Sequence, residues 1–486
     1  MKFRLILLSL IIISLLSTSG CDVKALTGNQ EATVNMENTE AATEAATEAK
    51  LCTVKVQSLD KQNLTDSVSY RIDKLSSIGS ATTIVEKLDT TDGIAGVELE
   101  SGEYRIKALT GDFEQVFTIG DDQESAVIAA ENNSMYNILK NTENVCIIGD
   151  SITIGSMTDG YGWYDELLQR FPNVKNVDVA ATGGQTSASI FDNESDISVI
   201  NSSTADTYIV ALGINDVINR EKTDKATTYT STEYIKNLEK LVRTINEKDN
   251  TKINEFIFVA PFEYINRYSY VMTKYIRRDN THEEYTIQLY NWCKMNNYTF
   301  VAPMNYIKNT LANVEDPGSY SVDDVHPAYP LGTKLYSEGV YESSVLNPTG
   351  TLNIDQHFFD EKDRKETDSS YKTYPIDYVQ AKVDVGVLKE TCFTFKDYNT
   401  GEYVVLNLDN DTGQYEYKGT DPNPHYYYSR QSDGKITISN MPVGGYIINC
   451  EYNKLGYNAY LDTEIVFVNG GSIATNACIY MKNKIE

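Results

Sequence analysis

From Leu51 to about Ile128, apolar and polar residues alternate over short runs: Cys52, Val54 and Val56 in CTVKV, Val97 and Leu99 in GVELE, Tyr104 and Ile106 in EYRIKA. A period of two, punctuated by Gly and Asp, predicts strands and turns. The same alternation returns near the C-terminus in TCFTFKDYNTGEYVVLNL and KITISNMPVGGYIINCEY. Between these ends, from roughly Asn132 to Asn347, the pattern changes. VCIIG (145–149), NVDVA (176–180), DTYIVALG (206–213) and EFIFVA (255–260) are short apolar runs suited to a sheet covered on both faces. YGWYDELLQRF, TEYIKNLEKLVRTI and EEYTIQLYNWCKMN carry apolar residues at helical spacing. This alternation predicts an α/β unit, a three-layer doubly wound parallel sheet, with a site at the carboxyl ends of its strands.

The chain therefore divides into segments 1–21, 22–50, 51–130 (β-sandwich), 131–350 (α/β unit), 351–376 (linker) and 377–486 (β-sandwich). The first, MKFRLILLSLIIISLLSTSGC, has Lys2 and Arg4, an apolar core from Leu5 to Leu16 and small polar residues before Cys21. Its apolar run is shorter than the roughly 20 residues a bilayer needs, which is the layout of an export signal. Ser19-Gly20 directly before Cys21 resembles the lipobox of bacterial lipoproteins, departing from it at Thr18, where Leu is usual. The resemblance implies lipidation at Cys21, a place on the outer face of the bacterial cell membrane, and membrane contact through the lipid alone. The alternative is a plain signal cleaved near Ser19, a secreted product and an incidental thiol at Cys21. GNQEATVNMENTEAATEAATEAK, which follows, has almost nothing bulky to bury and reads as a disordered tether.

The two β-rich ends share a local arrangement. Asp92-Gly93-IAGVELESGEY-Arg105 and Asp433-Gly434-KITISNMPVGGY-Ile447 both read as a turn, a short strand, a Gly-containing turn and a Tyr that opens the next strand. The second, with Met441-Pro442 before Gly444-Gly445-Tyr446, resembles the prealbumin-like sandwich domains of Gram-positive surface proteins, the Cna-B or SpaA type; the first lacks the Pro. The resemblance implies stalks, spacers or ligand-binding modules in contact with cell wall or glycan. Lys55 lies in a plausible first strand but has no identifiable partner, so no crosslink is expected.

Lys plus Arg number 42 against 69 Asp plus Glu, a net charge of −27 that repels phosphate backbones and excludes nucleic acid as a natural partner. Beyond Cys21, the cysteines at 52, 146, 293, 392, 450 and 478 show neither metal-binding spacing nor the density of a disulfide scaffold. Most read as small core residues; a bridge among Cys392, Cys450 and Cys478 is the lesser alternative.

Ser151 sits just past the strand ending at Ile148, where Gly149 allows a tight turn and a following helix aims free N–H groups outward. A serine there can attack a carbonyl if a base takes its proton. Only four histidines exist, at 282, 326, 357 and 425. In SVDDVHPAYPLG, Asp323 lies three residues before His326, a spacing that lets the carboxylate reach Nδ1 while Nε2 faces outward. His282 in DNTHEEY reads as an exposed helix residue, and His357 and His425 lie outside the α/β unit. Donors for an oxyanion are offered by Gly183 and Gly184 in ATGGQTS and by Asn215 in ALGIND, all just after strands.

GDSIT (149–153), GGQTS, GIND (213–216) and DDVH (323–326) occur in the order and relative positions of the SGNH, or GDSL-type, esterase family, whose fold is flavodoxin-like. The likeness covers the whole central unit. It implies Ser151 as nucleophile, Asp323 and His326 as its partners, and Ser151, Gly184 and Asn215 as oxyanion donors, with no metal and no organic cofactor. Gly160-Tyr-Gly162-Trp163 resembles the family's Gly-Trp. Ile152 stands where the family name has Leu, and Gly183 where Ser is more usual; neither removes a catalytic atom.

The expected function is an exported serine esterase acting on carboxylic esters, with an O-acyl carbohydrate favoured as substrate. The alternatives are an O-acyltransferase on surface glycan and a non-catalytic adhesin. FEYINRYSYVMTKYIRRD (262–279), rich in Tyr and Arg, reads either as a cover over the cleft or as an exposed segment with half-buried rings.

Overall fold

The computed structural model describes residues 50–60, 63–64, 68–76, 81–109, 113–131, 134–221, 225, 227–248, 254–263, 281–323, 325–344, 349–359, 364–366, 376–378, 391–451, 457–461, 465–471 and 473–483. The export signal, Cys21 and the tether up to residue 49 lie outside them, as does nearly all of the Tyr- and Arg-rich segment.

The N-terminal unit comprises β1 (Cys52–Asp60), β2 (Asn63–Leu64), β3 (Ser69–Leu75), β4 (Ala81–Asp89), β5 (Ile94–Leu99), β6 (Gly102–Ala108), β7 (Glu114–Ile119) and β8 (Ser125–Glu131). β1 pairs with β5 antiparallel and with β8 parallel, while a second sheet runs β4-β3-β6-β7. The alternating residues Val54, Val56, Tyr70, Ile72, Tyr104 and Ile106 form one core.

The central unit comprises α1 (Ser134–Leu139), β9 (Asn144–Gly149), α2 (Ser151–Ile154), α3 (Trp163–Leu168), β10 (Asn176–Ala181), α4 (Glu194–Ser202), β11 (Thr207–Ala211), α5 (Ile214–Glu221), α6 (Ser231–Lys248), β12 (Glu255–Val259), α7 (Thr281–Asn296), β13 (Thr299–Val301), α8 (Met304–Leu311) and α9 (Leu331–Glu342). Its five strands are parallel in the order β10-β9-β11-β12-β13. Side chains alternate between faces: Val145, Ile147, Ile209 and Ile257 pack with Trp163, Ile307 and Tyr336. Cys146, Ile148, Tyr208 and Phe258 pack on the other face with Leu238, Tyr285 and Trp292. Both faces are covered by helices, which is why β9, β11 and β12 read as nearly unbroken apolar runs. Sequence reading missed β13, whose three residues are too few to show a period.

The C-terminal unit comprises β14 (Thr349–Phe359), β15 (Arg364–Glu366), β16 (Ile376–Tyr378), β17 (Cys392–Asp397), β18 (Tyr403–Leu408), β19 (Tyr415–Asp421), β20 (Tyr427–Tyr428), β21 (Ile436–Pro442), β22 (Gly444–Glu451), β23 (Tyr457–Leu461), β24 (Ile465–Val468) and β25 (Thr475–Asn483). The expected linker at 351–376 needs correction. β14 begins at Thr349, pairs with β21 and β25, and buries Leu352 and Ile354 in the core. Two buried alternating positions among polar neighbours were too weak a signal to separate a first strand from a linker.

The two β units share a strand plan. In each, the first strand (β1, β14) pairs antiparallel with a middle strand (β5, β21) and parallel with the last (β8, β25). In each, β3 or β17 pairs with β4 or β18 on one side and with β6 or β22 on the other, and the latter pairs with β7 or β24. The shared Tyr has one role in both: Tyr104 donates its hydroxyl to the Glu100 carbonyl at 3.1 Å, and Tyr446 to the Pro442 carbonyl at 2.8 Å. Cys52, Cys146, Cys293 and Cys392 form no disulfide. No described helix is long and apolar enough to cross a membrane.

Candidate active site

α2 begins at Ser151, immediately after β9. Asp150 caps it, its Oδ1 accepting the Ile152 N–H at 3.0 Å. A β-carbon at position 149 would fall inside the Thr153 side chain, so only glycine lets the first turn of α2 fold back on β9. The Thr153 hydroxyl in turn accepts the indole N–H of fully buried Trp163 at 3.3 Å. Gly-Asp-Ser and the Gly-Trp pair are thus one packed unit. Burial pushes the Asp150 carboxyl up to about 7.

The loop between Tyr320 and Leu331 brings a histidine to this serine. The Val322 N–H donates to the His326 carbonyl at 2.9 Å, and the Ser321 hydroxyl bonds to the carbonyls of Asp323 and His326. Within this turn, Asp323 Oδ1 accepts the N–H groups of Val325 and His326, each at 2.7 Å. Its Oδ2 lies 2.9 Å from His326 Nδ1, and His326 Nε2 lies 2.9 Å from Ser151 Oγ. A carboxylate only accepts, so Nδ1 carries the proton and Nε2 presents a lone pair to the Ser151 hydroxyl. Partial burial raises the Asp323 pKa, but the three hydrogen bonds from His326 and Val325 outweigh it and hold the carboxyl below its ordinary range.

On the other side of Ser151 lies the loop after β10. A β-carbon at Gly183 would lie 4.0 Å from Ser151 Cβ, which places that loop against the serine. Gly184 has φ +77° and is exposed, a conformation that favours glycine. Buried Gln185 donates from Nε2 to the Gly149 carbonyl at 3.0 Å, and its backbone carbonyl accepts from Asn215 Nδ2 at 3.0 Å. An amide carries two N–H groups, so Asn215 has a second one for a ligand. Asp216, also buried, accepts the Ser187 N–H at 2.9 Å and the Ser187 hydroxyl at 2.6 Å. Burial pushes the Asp216 carboxyl up to about 6.

Residues 147–329 match the GDSL-like lipase/acylhydrolase family. The central unit is a GDSL-like acylhydrolase domain. By class the enzyme is a carboxylester hydrolase. No curated protein sequence matches the chain. Among solved structures, the chain is similar to a GDSL-like lipase from Parabacteroides merdae, at 18% identity over 42% of this chain and 95% of the other, with TM-score 0.33. It is also similar to the acetylxylan esterase Axe2 of Geobacillus stearothermophilus, at 20% identity over 41% and 94%, with TM-score 0.31. A third is the Bacillus subtilis protein YxiM, at 14% identity over 60% and 77%, with TM-score 0.32.

The structure brings five sequence-predicted residues of the acylhydrolase domain, Ser151, Gly184, Asn215, Asp323 and His326, to the carboxyl ends of β9, β10 and β11 and the adjoining 320–331 loop. Gln185, Ser187 and Asp216 were missed as site residues, because their partners lie 29 to 36 positions away and no local spacing marks them. His282 is corrected: it is buried, and its Nε2 lies 2.6 Å from the Pro261 carbonyl at the end of β12. Among the described residues, Glu263, His282 and Glu283 form one group with metal-like spacing, their ligand atoms within 4.8 Å of one another. The Lys308 ammonium stands 2.5 Å from Glu263 and supplies positive charge to the group. Phe262, the start of the Tyr- and Arg-rich segment, is buried against Trp163 and Tyr336. His357 and His425 lie in the C-terminal unit, on β14 and between β19 and β20.

Proposed function

We propose that the protein is an exported serine esterase that removes O-acyl groups, acetyl above all, from carbohydrate. The observation that carries the reading is the unbroken path from Asp323 through His326 to Ser151, with two links of 2.9 Å. Ser151 Oγ attacks the ester carbonyl as His326 Nε2 takes its proton, and Asp323 holds the imidazole and offsets its positive charge. The carbonyl oxygen, now negative, is met by the Ser151 and Gly184 N–H groups and the second amide N–H of Asn215. Collapse breaks the bond to the alcohol, which leaves with the proton from His326. Water, activated by the same imidazole, then releases the acid and restores Ser151.

The export signal, the lipobox-like Cys21 and the two β units support a cell-surface setting, where esters of polysaccharide are the accessible class. The test compares wild type with Ser151→Ala on p-nitrophenyl acetate and acetylated xylan. Acetate release from both, reduced about 10³-fold or more by the substitution, is expected. Activity that survives Ser151→Ala would sink the mechanism. Acetyl appearing on an added sugar instead of in free acetate would make the enzyme a transferase; folded wild type that binds glycan without turnover would make it an adhesin.

A further inference from the structure

Two surface segments beside the Ser151–His326 pair carry exposed apolar side chains. The first continues from α2, where the Ser156 N–H donates to the Ser151 carbonyl at 3.0 Å; it holds Ile154, 37% exposed, and Met157, 50% exposed. The second follows His326 and holds Tyr329, 58% exposed, and Leu331, 44% exposed. Single exposed apolar residues are ordinary. Here, however, two short stretches hold four of the fourteen large hydrophobics exposed among the described residues, and both adjoin the reacting pair.

The two segments meet where the ring of Tyr161 packs against that of Tyr329, centroids 4.8 Å apart and planes at 67°. Tyr161 is anchored: its hydroxyl donates to Glu166 Oε1 at 3.0 Å and accepts from Gln169 Nε2 at 3.1 Å. The backbone around Tyr329 is fixed as well, since the Ala328 N–H donates to the Tyr320 carbonyl at 2.9 Å and the Gly332 N–H to the Ala328 carbonyl at 2.7 Å. An open aromatic ring is therefore held in place three residues from the catalytic imidazole.

We propose that Tyr329, backed by Tyr161, is the stacking surface for the sugar ring that bears the acyl group. Resting on the acylhydrolase reading of Ser151, this assigns the alcohol side of the substrate. A tyrosine offers a flat apolar face with a polar tip, which suits a pyranose with its C–H face and hydroxyl rim. A long acyl chain would instead call for an enclosed apolar slot.

The test uses the full chain and compares wild type, Tyr329→Ala and Tyr329→Phe. Substrates are p-nitrophenyl acetate, p-nitrophenyl octanoate and a panel of acetylated pentose and hexose oligosaccharides. For Tyr329→Ala, the ratio of kcat/KM on the preferred oligosaccharide to that on p-nitrophenyl acetate should fall about 3- to 10-fold, mostly through KM. Tyr329→Phe should keep the wild-type ratio. An unchanged ratio for Tyr329→Ala, or a loss confined to the octanoate, overturns the proposal. So does Ser151-dependent turnover of p-nitrophenyl acetate with no acetylated sugar accepted, which leaves the esterase standing. Absence of Ser151-dependent turnover on every ester overturns the esterase and the platform together.

Discussion

Asp150 and Asp216 are carboxyls placed where water barely reaches, and both are pushed up by burial, to about 7 and about 6. An Asp whose folded pKa lies above its unfolded value of about 3.9 holds its proton more tightly in the folded protein. Between that value and about 7, rising pH therefore costs the folded state stability, and above about 7 the whole penalty is present. Asp150→Asn keeps an oxygen for the Ile152 N–H but cannot ionise. The melting temperature of the variant minus that of wild type is expected to be more positive at about pH 8 than at about pH 5, as calorimetry would read it. A flat difference would mean that Asp150 is ionised at no cost. At this scale the sequence was most informative where chemistry is local: Asp323 and His326 are three positions apart, and Asn215 lies in the first turn of α5, just past β11. Gln185 bonded to Gly149, Ser187 bonded to Asp216, and the ring of Tyr161 packed on that of Tyr329 join distant segments, so no spacing rule could have found them.

An element as short as α2, only four residues, cannot hold itself as a helix and depends on its packing. Gly149 is the point where that packing is tightest, because the Thr153 side chain occupies the space a β-carbon would need. Gly149→Ala must displace Thr153 and with it α2, the helix that carries Ser151. We expect a loss of about 1–3 kcal/mol in stability and a lower kcat on p-nitrophenyl acetate. Gly96 in β5, where a β-carbon meets nothing within 4 Å, is the control, and Gly96→Ala should leave both unchanged. Equal behaviour of the two variants would refute the packing argument. Strands β9, β11 and β12 were legible because each is apolar on both faces, and helices α6 and α7 because their buried residues recur at helical spacing. β13 and β14 were not: the first is too short for a period, and the second has buried Leu352 and Ile354 near its start, set among polar neighbours.

At the scale of the whole molecule, the C-terminal unit is seated on the acylhydrolase domain and does not stand off as a spacer. Phe467 of β24 packs against Tyr290 of α7 and Phe300 of β13, with ring centroids 5.1 and 5.4 Å away, and it belongs to the core of the central sheet. Polar contacts surround it: Asn469 Nδ2 donates to the Ala302 carbonyl at 2.8 Å, Asn309 Nδ2 to the Ala474 carbonyl at 2.7 Å, and Tyr290 to the Val443 carbonyl at 3.2 Å. A β-carbon at Gly445, which pairs with Phe467, would lie 2.6 Å from Ile287, so β22 and α7 also approach closely. These contacts lie at the β13 edge of the parallel sheet, where an unpaired strand edge would otherwise be a liability. Two units joined this way should unfold together, whereas modules on a flexible spacer would melt separately. Phe467→Ala removes the central ring and is expected to cost about 3–5 kcal/mol. Scanning calorimetry should then show the acylhydrolase and C-terminal transitions falling together, with esterase activity lost at the same lowered temperature. If activity instead survives to the wild-type temperature while only a β-rich transition moves, the acylhydrolase domain does not depend on the unit that covers its edge.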